Sequence, residues 1–203
     1  MNSLIAWTSF GFILGSIPFS FLLVHFWVHR DIRTVGDGNP GATNAWKAGG
    51  WPVGLSAVAL DISKGFAPLY LARRMAGLEG WALLPVALAP ILGHALQPWL
   101  KFHGGKALAT SGGAWIAWIG LRTLPIYASL TLPALALQVE HAWAAFAGMF
   151  ALLGYTLWFV ESPPLTAFAC INLCIIAWTH RRELRHAPRL RAWLANRLSR
   201  RNA

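Results

Sequence analysis

The sequence predicts an all-α, polytopic integral membrane protein with about seven transmembrane helices. Hydrophobic residues make up 56% of its 203 residues and charged residues only 12%, whereas about a quarter of the residues of a soluble domain are charged. The apolar residues also fall into successive runs close to the roughly 20 residues that a helix needs to cross a bilayer. We therefore expect one membrane domain over residues 1–180 and a tail over residues 181–203.

Seven apolar runs are candidate spans, and four prolines within them predict kinks or unwound turns. The fourth, fifth and seventh runs are short, so five or six spans with re-entrant pieces are the alternative. The runs are Leu4–Val28, Trp51–Ala72, Trp81–Leu100, Ala107–Leu121, Leu124–Val139, Ala142–Val160 and Leu165–Thr179, and the prolines are Pro85, Pro90, Pro125 and Pro133.

The basic residues predict how the chain is oriented, because cytoplasmic loops carry an excess of Lys and Arg. If successive loops lie on opposite sides of the membrane, one side has few basic residues. The other side then has both glycine-rich loops and the tail. We therefore expect the N-terminus outside and the C-terminus in the cytoplasm. The richer side holds Arg30, Arg33, Lys47, Lys101, Lys106 and the tail arginines, and the other side holds Arg73, Arg74 and Arg122.

A net charge of +10 is typical of proteins that bind nucleic acid or an anionic membrane surface. The apolar runs favour the membrane and indicate no nucleic-acid partner for the chain, although a nucleic-acid-binding arm is the alternative interpretation of the tail. In the tail, Leu190, Trp193, Leu194 and Leu198 recur among arginines at helical spacing, which predicts an amphipathic helix on lipid headgroups. We interpret Cys170 and Cys174 as buried apolar side chains and expect no metal site.

The segment "KFHGGKALAT" predicts a phosphate site at the start of a helix. Backbone N–H groups of a glycine-rich loop and the positive end of a helix dipole together favour an anion. We expect the amides of Gly104 and Gly105 and the ammonium of Lys106 to bind it, with Lys101 adding charge. A plain helix-capping turn with interfacial lysines is the alternative, and the spacing is not that of a Walker loop.

A second loop, "GDGNPGATN", offers donors and acceptors from Asn39, Thr43 and Asn44 on a backbone that glycines relax. Inside the second run, Asp61 and Lys64 share a helix face. Charges within a span are functional candidates, although a structural ion pair is the alternative. Three single polar residues, each of which could also be a packing residue, complete the candidates: His94, Ser129 and His180.

Taken together, these segments resemble the PlsY family, the membrane acyltransferases that use acyl phosphate to acylate glycerol 3-phosphate. The resemblance covers nearly the whole chain in order, and the first loop and the "GH…GGK" segment are its most specific parts. The matching stretches are "GSIPFSFLL" (15–23), "DIRTVGDGNPGATNAWKAGG" (31–50), "DISKG" (61–65), "LGHALQPWLKFHGGKALAT" (92–110), "YASL" (127–130) and, more weakly, "THRREL" (179–184).

The resemblance implies seven helices in a bacterial inner membrane and an active site that faces the cytoplasm. It implies formation of 1-acylglycerol 3-phosphate and phosphate in phospholipid synthesis, without a cofactor and with a partner enzyme that supplies acyl phosphate. It implies catalytic roles for His180, Ser129 and Asn44. The substrate-binding residues that it implies are Asp37, Gly38, Asn39, Gly41, Thr43, Lys47, Lys64, His94, Lys101, Gly104, Gly105 and Lys106.

Several positions depart from the family pattern, and the added acidic groups leave two alternatives open. One is a PlsY-like enzyme with another acceptor, and the other is a non-catalytic membrane paralogue. Because Asp37 and Lys47 depart together, we expect a local ion pair between them that neutralises the carboxylate. The departures are Asp37 for serine, Lys47 and Ile126 for arginine, His103 for lysine, Ala107 for glycine and Glu183 for asparagine.

Overall fold

The computed structural model of the chain describes residues 2–199, whose regular structure is helical apart from one antiparallel bridge between Gln138 and Leu190. Short 3₁₀ or π segments connect several of the helices. The α-helices are α1 (Asn2–Ser16), α2 (Phe19–Leu23), α3 (Ala42–Ala76), α4 (Leu83–Leu96), α5 (Leu108–Ile119), α6 (Thr123–Leu137), α7 (His141–Phe159), α8 (Pro163–Thr179) and α9 (Ala192–Ser199).

The first of two compact units, Met1–Leu121, is built on two helix pairs, α1 with α4 and α3 with α5. Both pairs approach closely through glycine, as small residues allow in membrane helix pairs. A Cβ atom on Gly15 would collide with the carbonyl of Pro90, and one on Gly65 would collide with the carbonyl of Thr110. This packing holds the first turn of α5 against the middle of α3, where Lys64 lies.

Two breaks in the first unit shape the candidate site. Helix α1 ends before Pro18, which has no N–H group with which to continue it, and the carbonyl of Ile17 accepts a hydrogen bond from Nζ of Lys64 at 3.0 Å. Within α3, Gly50 has φ 74° and ψ −170°, so a short helix over 42–49 precedes the long one. The long part begins at Trp51, as the sequence predicted.

The second unit, Arg122–Ala203, contains α6, α7 and α8, with α7 packed on both of the others. Gly148 of α7 provides the close approach, because a Cβ atom there would collide with the hydroxyl of Thr131 on α6. The described side chains of Cys170 and Cys174 are free and exposed on α8. Our interpretation of both cysteines as buried was therefore wrong.

The start of the tail binds back to the connection between α6 and α7. The N–H of Val139 donates to the carbonyl of Arg189 at 2.9 Å, and Nη2 of Arg189 lies 2.7 Å from Oε1 of Glu140. Leu190 is therefore in an extended segment, and the tail helix begins only at Ala192. The amphipathic helix predicted in the tail therefore begins later than expected. The last residues of the tail, 200–203, lie outside the described part of the chain.

Within residues 2–199, five helical stretches are long and apolar enough to cross a membrane, which confirms a multi-pass membrane protein. Helices α4 and α6 continue through Pro90 and Pro133, so the unwound turns predicted there are wrong. The fourth and fifth predicted spans correspond to one stretch, whose helix is interrupted at Gly120 (φ 79°). The stretches are Asn2–Val28, Ala42–Ala76, Gly80–Leu100, Leu108–Leu137 and His141–Phe159, with a shorter apolar helix at Pro163–Thr179.

Candidate active site

The loop from Gly36 to Asn44 folds around the carboxylate of Asp37. Oδ1 of Asp37 accepts hydrogen bonds from Nδ2 of Asn44 at 2.7 Å and from the N–H of Asn39 at 3.3 Å. The same Nδ2 donates to the carbonyl of Asn39 at 2.9 Å. Gly36 and Gly38 have φ of 62° and 73°, a region that glycine adopts without strain. These contacts close the loop into a turn with a carboxylate at its centre.

Lys106 joins the second glycine-rich segment to this turn, since its Nζ lies 2.9 Å from Oδ2 of Asp37. Partial burial acts to raise the pKa of Asp37, but hydrogen bonds from Lys106 and Asn44 outweigh it and lower the pKa to about 2. The expected ion pair between Asp37 and Lys47 was wrong. Nζ of Lys47 instead lies beside Gly36: a Cβ atom added to Gly36 would be 3.1 Å from it.

The two glycines before Lys106 pack on the last turn of α4. The N–H of Gly105 donates to the carbonyl of His94 at 3.1 Å, so this amide is engaged within the protein rather than directed at a ligand. A Cβ atom on Gly105 would collide with Nε2 of His94, and one on Gly104 would collide with the carbonyl of Ala95. The expected use of the Gly105 amide is therefore corrected: here glycine permits the close approach that positions Lys106.

Beneath the glycine pair lies a buried polar cluster. Nζ of Lys64 is 2.8 Å from Oδ1 of Asp61, and Nδ1 of His94 is 3.6 Å from the same oxygen. The hydroxyl of Ser20 donates to Oδ2 of Asp61 at 3.5 Å. His94 thus contacts both this cluster and the loop that carries Lys106, so a continuous series of contacts runs from the buried charges to Asp37 at the surface.

The remaining predicted residues of the first unit differ in how closely they surround Asp37. Gly41 belongs to the turn itself, because its carbonyl accepts from the N–H of Asn44 at 3.0 Å. Thr43 is exposed in the first turn of α3. Lys101 is exposed, with φ 54°, and the side-chain contacts described within residues 2–199 do not connect it to Asp37 or Lys106.

Ser129 and His180 belong to the second unit. The exposed hydroxyl of Ser129 donates to the carbonyl of Ile126 on its own helix at 2.7 Å. His180 is 5% exposed, and its Nδ1 lies 3.0 Å from the carbonyl of Ile176. Because a carbonyl can only accept, this bond requires the proton on Nδ1, and the hydroxyl of Thr179 lies 3.2 Å from the same nitrogen.

Three buried polar residues near these groups were not among the predicted site residues: Ser20, Gln97 and Thr110 are each at most 1% exposed. Ser20 lies in the matching stretch "GSIPFSFLL", so the resemblance contained a signal for it. Gln97 has φ 40° at the end of α4, which the sequence signalled only through the proline that follows it. Across residues 2–199, no group of three His, Cys, Asp or Glu side chains could hold a metal ion.

A family model described as glycerol-3-phosphate acyltransferase matches residues 5–189. The chain belongs to the glycerol-3-phosphate acyltransferase family. Glycerol-3-phosphate acyltransferase 1 of Thermotoga maritima is 35% identical over 188 residues, which cover 86% of this chain and 92% of that protein. The glycerol-3-phosphate acyltransferase of Erythrobacter litoralis is also 35% identical, over 183 residues that cover 88% of each chain.

Two solved structures of PlsY (YgiH), an integral membrane glycerol 3-phosphate acyltransferase, resemble this acyltransferase family member in fold. The glycerol 3-phosphate form has a TM-score of 0.80 and 27% identity over 90% of each chain. The form with lysophosphatidic acid has a TM-score of 0.77 and 26% identity over the same shares. The resemblance predicted from the sequence is confirmed.

Proposed function

We propose that the protein transfers an acyl group from acyl phosphate to a hydroxyl of glycerol 3-phosphate. The products are 1-acylglycerol 3-phosphate and inorganic phosphate, and the reaction supplies phospholipid synthesis. Membership of the family supports the acceptor, since both the relatives and the solved neighbours carry glycerol 3-phosphate in their names. The donor follows from the PlsY resemblance and from the chemistry of the site.

One observation supports the proposal most directly: three hydrogen-bond donors converge on the two carboxylate oxygens of Asp37, which is partly exposed at the protein surface. The ammonium of Lys106, the amide of Asn44 and the N–H of Asn39 all contact the Asp37 carboxylate. A carboxylate and a phosphate present similar acceptor oxygens, and charge-assisted donors bind both. The same set of donors is therefore suited to a phosphate group of either substrate.

In the proposed reaction, the acceptor hydroxyl attacks the carbonyl carbon of the acyl phosphate. A carbon–oxygen ester bond forms, the bond between the carbonyl carbon and the phosphate oxygen breaks, and phosphate leaves with the electron pair. The PlsY resemblance gives His180 the role of the base that takes the hydroxyl proton and gives Ser129 a further catalytic role. The main contributions are then positioning and stabilisation of the developing oxyanion, and Asn44 and Lys106 supply the second.

A mixed anhydride is already an activated acyl donor, so the site needs phosphate binding and orientation more than a strong nucleophile. The remaining substrate-binding roles fall to the first loop (Gly38, Asn39, Gly41 and Thr43) and to Lys47, Lys101 and Gly104. His94 holds Gly105 in place through its carbonyl. Lys64 pairs with Asp61, which His94 also contacts. Residues 1–180 form the catalytic membrane domain, and the basic tail binds lipid headgroups.

The proposed orientation places the two glycine-rich loops and the tail in the cytoplasm of a bacterial cell, with seven helices in the inner membrane and the N-terminus outside. This assignment rests on the distribution of Lys and Arg. It gives the site access to water-soluble glycerol 3-phosphate while the acyl chain of the donor stays in the bilayer. An enzyme that makes acyl phosphate is the expected partner.

The deciding experiment incubates purified protein with palmitoyl phosphate and radiolabelled glycerol 3-phosphate. We expect labelled 1-acylglycerol 3-phosphate and an equal amount of inorganic phosphate, and far less of both products with the Lys106→Ala variant. Product from acyl coenzyme A but not from palmitoyl phosphate would disprove the donor. Acyl transfer only to a different hydroxyl or amine acceptor would favour the alternative acceptor, and no transfer at all would favour a non-catalytic paralogue.

A further inference from the structure

The Asp37 carboxylate occupies the position at which the donors of the two loops meet. Its Oδ2 contacts Nζ of Lys106 at 2.9 Å, and its Oδ1 contacts Nδ2 of Asn44 at 2.7 Å and the N–H of Asn39 at 3.3 Å. Both carboxylate oxygens are thus engaged by donors that the proposed function assigns to substrate phosphate. Nδ2 of Asn44 already donates to Asp37 and to the carbonyl of Asn39, and adjacent anions repel each other. A phosphate group and this carboxylate therefore compete for the same donors.

We propose that Asp37 is an internal substitute for phosphate: it holds Lys106 and Asn44 in place while the site is empty, and an incoming phosphate group must displace it. The inference rests on the proposed function for the identity of the phosphate substrate. It makes Asp37 a residue that weakens binding of phosphate groups and so sets the substrate concentration at which the enzyme works.

The surroundings of Asp37 allow such a displacement. Its side chain is 51% exposed, so the carboxylate can move into water without crossing a packed core. The flanking residues Gly36 and Gly38 both adopt left-handed backbone conformations, and glycine passes between such conformations and ordinary ones at little cost. The carboxylate is held by hydrogen bonds rather than by packing, and the incoming phosphate replaces each of those bonds.

Protonation cannot release the carboxylate at neutral pH. Lys106 and Asn44 lower the pKa of Asp37 to about 2 although partial burial opposes the shift. Release therefore depends on competition by another anion, and the strength of that competition is measurable as an affinity.

The test measures binding of inorganic phosphate to the purified full-length protein by calorimetry, in a buffer without other multivalent anions. Asp37→Asn keeps the shape of the side chain and removes its charge, and we expect about three- to tenfold tighter phosphate binding. Asp37→Ser is a second variant that serves if the first fails to fold. Asp31→Asn is the matched control, because Asp31 is a nearby carboxylate that pairs with Arg33 at 2.7 Å instead; its affinity should equal that of the wild type.

A further variant links the gain to the donor. Adding Lys106→Ala to Asp37→Asn should abolish the tighter binding. Unchanged or weaker phosphate binding in both folded Asp37 variants would overturn the inference, as would an equal gain in Asp31→Asn, which would indicate a general charge effect. Phosphate binding is measured without acyl transfer, so an enzyme inactive towards glycerol 3-phosphate would disprove the proposed function and leave this result interpretable.

Discussion

The ammonium of Lys64 lies 2.8 Å from the carboxylate of Asp61, and their side chains are only 0% and 4% exposed. The pair sits within the apolar part of α3, where an uncompensated charge is costly. Other elements contribute polar groups to it, among them the carbonyl of Ile17 and the hydroxyl of Ser20. The pair therefore ties the break in the first span to α3, and through His94 to the glycine-rich loop.

Removing one member of this pair should destabilise the protein more than removing both. Asp61→Asn or Lys64→Met leaves an unpaired buried charge, and we expect each to lower the free energy of unfolding by about 3–5 kcal/mol. The double variant should recover part of that loss. Thermal unfolding in detergent is the measurement, with Glu79→Gln as an exposed acidic control. Single variants as stable as the wild type would show that the pair contributes nothing to the fold.

A methyl group on Gly105 should damage the site, whereas one on Gly112 should not. The added Cβ at Gly105 meets Nε2 of His94, while the one at Gly112 meets nothing within 4 Å. We expect Gly105→Ala to raise KM for glycerol 3-phosphate about tenfold or more, because a small displacement of Lys106 disrupts its alignment. Gly112→Ala should retain wild-type kinetics. Equal kinetics for the two variants would mean that the contact with His94 does not position the loop.

Much of the fold followed from the sequence, because apolar runs and breakers act locally. The long part of α3 begins at Trp51 as predicted, since Gly50 interrupts the helix where the apolar run starts. No unwound turn occurs at the four prolines. Pro85 and Pro125 lie in the first turns of α4 and α6, where a missing N–H group breaks no helical bond, and the helices continue through Pro90 and Pro133. Helix interruption occurs instead at Gly120.

The candidate site was predictable as a set of residues but not as a set of contacts. Both glycine-rich loops and the Asp61–Lys64 pair were singled out from residue type and spacing. The partner of Asp37 was not, because Lys106 is 69 residues away in the chain and only the packing of α5 on α3 and α4 brings it close. The role of Gly105 was missed for the same reason: its need for space depends on His94 of another helix.

Lys106→Ala should nearly abolish acyl transfer and should leave the Asp37 carboxylate without its cation. We expect KM for glycerol 3-phosphate to rise at least tenfold, as is typical of losing a charge-assisted contact. Arg33→Ala is the matched control, because Arg33 is a cation beside the same loop that pairs locally with Asp31. Steady-state kinetics of both variants decide the question, and equal effects would indicate a requirement for net charge alone.

The contribution of Asp37 to stability should disappear in acid. Its pKa is about 2 in the folded protein, against an ordinary value of 3.8. The stabilisation is therefore fully present above about pH 4 and is lost as the pH falls through about 2. At pH 7 we expect Asp37→Asn to be less stable by about 1 kcal/mol or less, since solvent screens this half-exposed pair. Thermal unfolding in phosphate-free buffer at pH 7, 4 and 2.5 measures the difference, and a constant difference would contradict the ion pair with Lys106.

The proposed orientation predicts which turns a membrane-impermeant maleimide reaches in intact cells. The exposed native cysteines, Cys170 and Cys174, are first replaced by alanine. In that background, Glu79→Cys lies in an exposed turn after α3 and should be labelled from outside, whereas Thr34→Cys, exposed before the first glycine-rich loop, should be labelled only after the cells are opened. Thr34 precedes α3 and Glu79 follows it, so the two positions lie on opposite sides of the membrane if the long helix of α3 crosses it. Labelling of Thr34→Cys in intact cells would reverse the orientation and place the phosphate-binding loops outside, away from any cytoplasmic supply of acyl phosphate.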